Sequence, residues 1–247
     1  MQFFVRSFPL PSGREPVLSS CGPNGTAVLT LNRPARRNAI DGAMVHALLE
    51  QLEHCQAPAV VICTGDPVCF CSGADLSLSD HDRADVSDLL YELYRQMITL
   101  PVPILVALQG PAVGGGAQLA VAADLRIAEP SASLRFMGPG HGLAVGAWAL
   151  NSLVGRGRAL DLCLTMRTVD GAEALSIGLV DRVVPDAREA ALEIAAQLAT
   201  LEASAVRRVK RIVLDGSDLL PALQSERAGN RAWTGSVESP GPKTRDE

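Results

Sequence analysis

The sequence has little positive charge and almost no lysine. Among its 247 residues, lysine occurs only at Lys210 and Lys243, and the formal net charge is −5. Because phosphate binding needs a basic surface, this balance argues against nucleic acid as the main partner. Nearly all of the positive charge is arginine, whose guanidinium can bind a phosphate or a carboxylate with two donors. Genome base composition produces the same bias, and we favour that interpretation.

Long apolar runs are also missing. No stretch approaches the roughly 18 apolar residues of a membrane-spanning helix. The N-terminal stretch MQFFVRSFPLPSGREP has no apolar run long enough for a secretory signal. We therefore expect a cytoplasmic protein without a membrane span.

The cysteines lack the pattern of a disulfide framework and of a zinc site. Six cysteines are scattered through apolar segments, which favours buried, reduced thiols. Cys69 and Cys71 form a C-x-C pair, but no second pair and no nearby histidine completes a zinc site. We expect no metal there. We interpret both thiols as packing residues, since no partner base is evident.

What the sequence does contain is an alternation typical of an α/β fold. Apolar residues make up 47% of the chain, enough for one large domain or a core with a small helical appendage. Alternating or wholly apolar segments at 26–33, 57–65 and 103–110 predict strands. Asp41 stands at the N-cap position of an amphipathic segment. Further helical patterns occupy 82–99, 147–154, 158–166, 171–177, 187–200, 204–214 and 218–233.

The character of the chain changes after residue 147. Strands alternate with helices before that point, and helical patterns dominate after it. We predict a core over residues 1–147, a helical region over 148–236 and a disordered polar tail over 237–247.

Two glycine turns suggest a site for negative charge. The stretches FCSGADL (70–76) and AVGGGAQL (112–119) each follow a predicted buried strand. Glycine lets a ligand approach the main chain, and a turn into a helix leaves unpaired N–H groups. One N–H group from each turn could hold an oxyanion developing on a carbonyl. Neither stretch has the spacing of a dinucleotide fingerprint or a P-loop, and tight helix–sheet packing without a ligand is the alternative.

Several longer segments resemble the crotonase superfamily, the enoyl-CoA hydratase/isomerase family. The resemblance runs from about residue 26 to 215 and rests on LNRPARRNAIDGAMV, CFCSGADLS, PILVALQGPAVGGGAQLAVAADLRIA and LTMRTVDGAEALSIGLVDRVV. It implies a core of repeated ββα units and a C-terminal helical trimerisation region. The implied assembly is a homotrimer or a dimer of trimers. The implied ligand is an acyl-coenzyme A thioester, with no separate cofactor.

The resemblance also implies roles for individual residues. It places the oxyanion hole at the backbone N–H groups of Ala74 and Gly115, in agreement with the glycine turns. Asp124 matches a structural, hydrogen-bonding residue of the family. Coenzyme A is expected around Arg36, Arg37, Ala39, Ser72, Ala74, Asp75, Leu76 and Gly115. Ordinary solvated surface is the alternative interpretation of Arg36 and Arg37.

The chain departs from the family at its acids. The two glutamates that hydrate the double bond in relatives map to Gln118 and Gly138, and a third acid of dienoyl isomerases maps to Gly146. An amide cannot transfer a proton near neutral pH, and glycine has no side chain. Each lost acid or base should cost about a hundred- to ten-thousand-fold in rate. We therefore expect hydratase activity to be weak or absent.

Other residues near the inferred site leave alternatives open. His141 could act as a base, or it could be a loop histidine that faces solvent. Met137, Leu143, Val145 and Trp148 could line an acyl pocket, or they could be core. The C-terminal helix of relatives carries a basic residue for coenzyme A phosphates, and only Arg231 or Lys243 could replace it.

Three functions are compatible with these patterns. The first is a fatty acyl-CoA-binding protein of this family with little or no hydratase activity. The second is an active enzyme of other chemistry, such as double-bond isomerisation, thioester hydrolysis or decarboxylation, using His141 or water. The third is a non-catalytic assembly partner of a lipid-metabolism complex.

Overall fold

The computed structural model describes residues 15–236, so the predicted tail over 237–247 lies outside the described residues. Residues 15–236 form nine strands: β1 (Val17–Cys21), β2 (Ala27–Leu31), β3 (Val60–Thr64), β4 (Ile104–Leu108), β5 (Pro111–Val113), β6 (Leu125–Ala128), β7 (Ser133–Arg135), β8 (Val169–Asp170) and β9 (Arg182–Val183). The same residues form nine α-helices: α1 (Gly42–Glu53), α2 (Asp80–Thr99), α3 (Gly115–Val121), α4 (Ala147–Val154), α5 (Arg156–Thr165), α6 (Gly171–Ser176), α7 (Ala187–Leu198), α8 (Ala203–Asp215) and α9 (Leu219–Asn230).

Six strands form the main sheet, in the order β1-β2-β3-β4-β6-β9. Neighbours from β2 onward are parallel, whereas β1 pairs antiparallel with β2 at one edge. Every residue of β3 and β4 is buried, since helices cover both faces of the parallel sheet. The strands predicted over 57–65 and 103–110 are confirmed, each slightly shorter than predicted.

Alternate residues of β3 contribute to two separate apolar clusters. Val60 and Ile62 belong to the large cluster that contains the buried faces of α1 and α2. Val61 and Cys63 belong to a smaller cluster with α7 on the opposite face. The two-residue period of a strand therefore places the sheet between two helical layers. This confirms the predicted α/β class.

Helix starts follow the predicted local rules. The Asp41 carboxylate accepts a hydrogen bond from Met44 N at 2.9 Å and caps α1, as predicted. Ser79 caps α2 in the same way through Asp82 N, so α2 begins two residues before the predicted helix. Although α2 is the longest helix it is strongly charged, and none of the helices within residues 15–236 is long and apolar enough to cross a membrane.

A second sheet of three strands, β5-β7-β8, lies beside the first. Its strand β8 and the strand β9 of the main sheet both come from the C-terminal half of the chain. The region after residue 147 is therefore mostly helical but contributes one edge strand to each sheet.

Lys210 ties α8 to the core. Its Nζ donates to Asp124 Oδ2 at 2.7 Å and to the carbonyls of Met97 and Val102 at 3.3 and 3.1 Å. Asp124 Oδ2 also accepts from Ile104 N at 2.7 Å. Burial raises the pKa of Asp124, while the Lys210 ammonium opposes that rise. These contacts agree with the structural role expected for Asp124.

Candidate functional site

The two glycine turns meet at one end of the main sheet. Cys71 pairs with Ala112 in a parallel bridge, and Val113 N donates to Cys71 O at 2.9 Å. Glycine is required on both sides. Gly73 has a φ of +90°, and a Cβ there would lie 2.7 Å from Val113 O. A Cβ on Gly116 would lie 2.6 Å from Cys71 O. The two turns can approach this closely only because neither residue has a side chain.

Hydrogen bonds orient the two expected N–H groups. Gly73 O accepts from Ile40 N at 2.7 Å, and because C=O and N–H point in opposite directions in a trans peptide, Ala74 N–H points away from Ile40. Gly114 O accepts from Gln118 N at 3.0 Å, so Gly115 N–H points out of the N-terminus of α3. Neither Ala74 N–H nor Gly115 N–H donates to any atom of the described residues.

Both N–H groups belong to residues that line one cavity of about 260 Å³. A Cβ on Gly73 would lie 3.7 Å from Gly115 N, which places the two turns side by side. The Gly115 peptide is held further by Tyr94, whose hydroxyl donates to Gly115 O at 2.9 Å. This arrangement suits a carbonyl oxygen that gains negative charge, because the helix N-terminus and both donors favour an anion.

The rest of the cavity is mainly apolar. Its apolar lining residues include Val86, Leu90, Met137, Leu143, Val145 and Trp233. Three of the four residues considered from the sequence as pocket lining are therefore present. The fourth, Trp148, is 3% exposed and lies behind Gln118 instead. No aspartate or glutamate lines this cavity within the described part of the chain.

Gln118 lines the cavity, but its amide oxygen is already occupied. Oε1 accepts from Trp148 Nε1 at 2.8 Å and from Gly146 N at 3.1 Å. Trp148 in turn stacks on Tyr94, with ring centroids 5.9 Å apart. The side chain is held in place by its oxygen and has no group that can exchange a proton near neutral pH.

The other two mapped acid positions are closed. Gly138 is buried and does not line the cavity, and a Cβ there would lie 2.7 Å from Leu143 O and 2.9 Å from Val145 N. Gly146 has a φ of +83°, and a Cβ there would lie 2.4 Å from Phe136 Cδ1. Residues of the loop between these glycines occupy the space beside Gly138, and the Phe136 ring occupies the space beside Gly146.

His141 does reach the cavity. It ends the short 3₁₀ helix Pro139–His141 and is half-buried among the lining residues. Its Nδ1 is enclosed and has no hydrogen-bond partner within residues 15–236. The imidazole is therefore not committed to a structural contact, and it is the only histidine among the lining residues described.

A buried carboxylate that the sequence did not reveal lies behind the cavity. Glu226, in α9, is 7% exposed and accepts from Gly146 N at 3.1 Å, Trp148 N at 3.0 Å and the Tyr91 hydroxyl at 3.0 Å. Burial raises its pKa, and these hydrogen bonds partly oppose the rise. Glu226 does not line the cavity, but it fixes the N-terminus of α4 through the same Gly146 N–H that Gln118 contacts.

The residues expected around coenzyme A divide into three groups. The side chains of Arg36 and Arg37 are exposed, and their loop lies beside Ser72, because Ser72 N donates to Arg37 O at 3.0 Å. Ser72 and Leu76 line the cavity, and Leu76 is 63% exposed. Ala39 is buried and does not line the cavity.

Asp75 is held within the protein. Its carboxylate accepts from Ser77 N at 3.0 Å, from Ser77 Oγ at 2.7 Å and from Arg33 at 2.9 Å. Burial favours the protonated form, but the hydrogen bonds from Ser77 and Arg33 outweigh it and lower the pKa of Asp75. The side chain therefore organises the loop that carries Ala74 and does not point into the cavity.

The C-terminal segment closes one side of the cavity. Asn230 and Trp233 are lining residues, and Asn230 donates to the Tyr91 hydroxyl at 2.7 Å. The buried guanidinium of Arg83 donates from Nε to Gly235 O at 2.8 Å and from a terminal nitrogen to Leu76 O at 3.2 Å. Arg83 thus connects this segment to the loop of the first glycine turn.

Of the two basic residues considered for binding the coenzyme A phosphates, only Arg231 lies within the described residues. Arg231 is exposed and near Asp88, whose pKa it helps to lower. Lys243 lies outside the described residues.

The thiols beside the glycine turn are packing residues in this structure. Burial raises the pKa of Cys71 to about 12, and Cys71 Sγ contacts Asn38 O at 3.1 Å. Burial also raises the pKa of Cys69, so neither thiol is poised as a thiolate nucleophile. All six cysteines are unpaired, although Cys21 is exposed and not buried as expected. Residues 15–236 contain no group of three or more histidine, cysteine or acidic side chains that could hold a metal ion.

Comparisons with known proteins agree with this architecture. The family model described as enoyl-CoA hydratase/isomerase matches residues 22–239. A probable enoyl-CoA hydratase of Mycobacterium tuberculosis is 38% identical over 218 residues, which cover 84% of this chain and 87% of that protein.

Solved structures give the same result. The structure of an enoyl-CoA hydratase from Bacillus anthracis matches with a TM-score of 0.77 and 30% identity, covering 87% of this chain and 89% of that chain. The structure of a monofunctional enoyl-CoA isomerase from M. smegmatis matches with a TM-score of 0.72 and 30% identity, covering 85% of this chain and 99% of that chain. The chain therefore belongs to the enoyl-CoA hydratase/isomerase family of the crotonase superfamily.

Proposed function

We propose that this protein binds an acyl-CoA thioester with the carbonyl oxygen between the N–H groups of Ala74 and Gly115. The observation that carries the proposal is that these two N–H groups have no partner within the described residues and belong to the lining of one largely apolar cavity. The relatives' names support a coenzyme A thioester as the ligand. The apolar lining suits an acyl chain.

The coenzyme A moiety is placed along the loop that carries Arg36 and Arg37. Their exposed guanidinium groups suit phosphates, and the loop borders Ser72 at the edge of the cavity. In this proposal Ala74 contributes through its backbone N–H. Ala39 and Asp75 shape the loop, because their N–H groups donate to Arg36 O and Ile40 O and the Asp75 carboxylate is engaged by Arg33 and Ser77.

Hydration of an enoyl-CoA should be slow or absent. Gln118 cannot move a proton, the Gly138 position is filled by the 143–145 backbone, and none of the described lining residues is a carboxylate. The two N–H donors can polarise the thioester, but no described carboxylate lines the cavity to activate the water or to protonate Cα. The proposed role is therefore binding of fatty acyl-CoA.

The test measures binding and turnover on the same preparation. Calorimetry with a saturated acyl-CoA should detect binding, while crotonyl-CoA and longer enoyl-CoAs should show no turnover near the ~10 s⁻¹ typical of enzymes. Gly115→Pro removes one of the two N–H donors at the first position of α3, where helices accept proline, and should weaken binding.

Gly115→Ala is the matched control, because it keeps the N–H group and adds a Cβ 3.2 Å from the flexible ends of Ile40 and Leu90. Turnover at ordinary rates would contradict the loss of hydratase activity. Failure of every acyl-CoA to bind would contradict the proposal itself.

A second candidate function is catalysis by His141 or a bound water, with chemistry other than hydration. The observation that favours it is that His141 lines the cavity and that no hydrogen bond within residues 15–236 ties its Nδ1. A panel of acyl-CoA esters analysed by mass spectrometry should then give an isomerised, hydrolysed or decarboxylated product. Loss of that product in His141→Gln, with binding retained, would support this function.

Assembly into a homotrimer, or a dimer of trimers, is part of the proposal. Val209, Ile212 and Val213 form an apolar stripe on α8, each more than 60% exposed. A stripe at this spacing on one helix face suits burial against another copy. The same stripe would serve the alternative role as a partner within a lipid-metabolism complex, and a cytoplasmic location remains a prediction.

A further inference from the structure

The orientation of the Gln118 amide is fixed by its neighbours. Its Oε1 faces the indole N–H of Trp148 at 2.8 Å and the backbone N–H of Gly146 at 3.1 Å. Both of those groups can only donate, so the atom between them must be the amide oxygen. The NH₂ group is therefore on the other branch of the side chain.

That NH₂ group has no acceptor among residues 15–236. Gln118 is 5% exposed and lines the cavity, so its accessible polar end is an unpartnered donor in largely apolar surroundings. Gln118 Nε2 is not one of the enclosed, unpartnered side-chain atoms of residues 15–236, so it is open to the cavity, where an acceptor on a ligand can reach it. A ligand in the cavity could therefore supply the acceptor that the Gln118 NH₂ group lacks.

The position of this donor relative to a bound thioester follows from α3. Gly115 and Gln118 are three residues apart in the helix, and residues at this spacing are neighbours on one face. This step rests on the proposed function, in which the thioester oxygen lies at the Ala74 and Gly115 N–H groups. The acyl carbons next to the carbonyl would then lie along that face. The Gln118 donor would then meet the first carbons of the acyl chain.

We propose that the site prefers 3-oxoacyl thioesters, with the C3 carbonyl oxygen accepting a hydrogen bond from the Gln118 NH₂ group. A carbonyl oxygen only accepts, which matches a group that only donates. A saturated or 2-enoyl chain carries no acceptor at C3. A 3-hydroxyacyl chain can accept, but its own hydroxyl hydrogen would need an acceptor, and Gln118 Oε1 already receives two hydrogen bonds.

The experiment compares four coenzyme A thioesters of equal chain length: 3-oxoacyl, 3-hydroxyacyl, trans-2-enoyl and saturated. Calorimetry on the wild-type protein should give a dissociation constant about threefold to tenfold lower for the 3-oxoacyl ester than for the saturated ester, the size of one net hydrogen bond.

Two variants remove the donor. Gln118→Glu is isosteric, so one carboxylate oxygen can keep the bonds from Trp148 and Gly146 while the other replaces the NH₂ group. Its binding is measured over a pH series, because a carboxyl buried beside Glu226 is still a donor while it is protonated. Gln118→Met removes the donor without adding a charge. Within each variant, the dissociation constants of the 3-oxoacyl and saturated esters should become equal. Circular dichroism and thermal unfolding establish that each variant is folded.

The outcomes separate this inference from the proposed function. If none of the four esters binds the wild-type protein, the proposed acyl-CoA binding fails. If all four esters bind equally, only the 3-oxoacyl preference fails. A preference that persists in both variants, or tighter binding of the 3-hydroxyacyl ester, would also overturn the inference.

Discussion

The carboxylate of Glu226 accepts a hydrogen bond from the Tyr91 hydroxyl at 3.0 Å, although the two residues are 135 positions apart in the sequence. This contact joins α9 to α2 beside the cavity. The same carboxylate accepts the N–H groups of Gly146 and Trp148, so it also supports the loop and helix that hold Gln118. The site therefore depends on a C-terminal residue that does not itself line it.

Replacing Glu226 should destabilise the fold more than it changes the chemistry of the cavity. Glu226→Ala leaves the buried N–H groups of Gly146 and Trp148 with fewer acceptors, at a cost of about 3 kcal/mol in the free energy of unfolding. Urea unfolding measures this loss. Glu226→Gln retains one oxygen acceptor and should lose less stability. If Glu226→Ala is as stable as the wild type, the Glu226 hydrogen bonds do not stabilise the fold.

A side chain at position 138 should destabilise the fold. Gly138→Ala places a Cβ 2.7 Å from a backbone oxygen, and the shift needed to relieve that contact should cost about 1–3 kcal/mol in thermal or urea unfolding. Gly157→Ala, in α5, is the matched control because open space surrounds its Cβ, and it should be neutral or stabilising by up to about 1 kcal/mol. Equal effects of the two substitutions would mean that the loop over residues 138–146 is not packed as described.

The stability of the fold should depend on pH through Asp75, in the loop that carries Ala74. Hydrogen bonds from Ser77 and Arg33 outweigh burial and lower its folded pKa below the unfolded value of about 3.9. The ionised group therefore stabilises the fold above pH ~4, and this contribution is lost as the pH falls through the lower folded pKa.

Urea unfolding of the wild type and of Asp75→Asn over a pH series measures the effect. The variant should be less stable by about 1–2 kcal/mol at neutral pH, and the difference should shrink below pH ~4. A difference that does not change with pH would contradict the role given to the carboxylate.

The apolar stripe on α8 should mediate assembly. Ile212→Asp places a charge within the stripe, so the mass in solution should fall from that of a trimer or hexamer to that of a monomer. Light scattering coupled to size-exclusion chromatography measures the mass. Val68→Asp is the control, since Val68 is equally exposed but lies far along the chain from α8. A monomeric wild type would contradict the assembly proposal.

Local sequence signals were enough to predict the central strands and the glycine turns. The runs at 57–65 and 103–110 are wholly apolar because both faces of β3 and β4 are covered, and such runs are visible without tertiary information. Strand β1 was not predicted, since four of its five residues are exposed at the sheet edge and no apolar alternation marks it. Glycine is required at Gly73 and Gly116 because the two turns approach each other closely, whereas the sequence pattern suggested sharp turns with room for a ligand.

The supporting residues of the site could not be predicted in the same way. Glu226, Arg83 and Trp233 reach the cavity region only through contacts between distant segments. A glutamate in an amphipathic helix is ordinarily a solvated residue, so nothing local distinguishes Glu226. The occupied Gln118 oxygen likewise depends on Trp148, which follows it by 30 residues.

The central claim is that one thioester oxygen binds between the N–H groups of Ala74 and Gly115. The most direct measurement is the infrared difference spectrum of an acyl-CoA labelled with ¹³C at the thioester carbonyl. Two donors to the oxygen should shift its stretching band to lower frequency on binding, with a smaller shift in Gly115→Pro and the full shift in Gly115→Ala. A bound thioester whose carbonyl band stays at its frequency in water, or shifts equally in Gly115→Pro, would contradict the account.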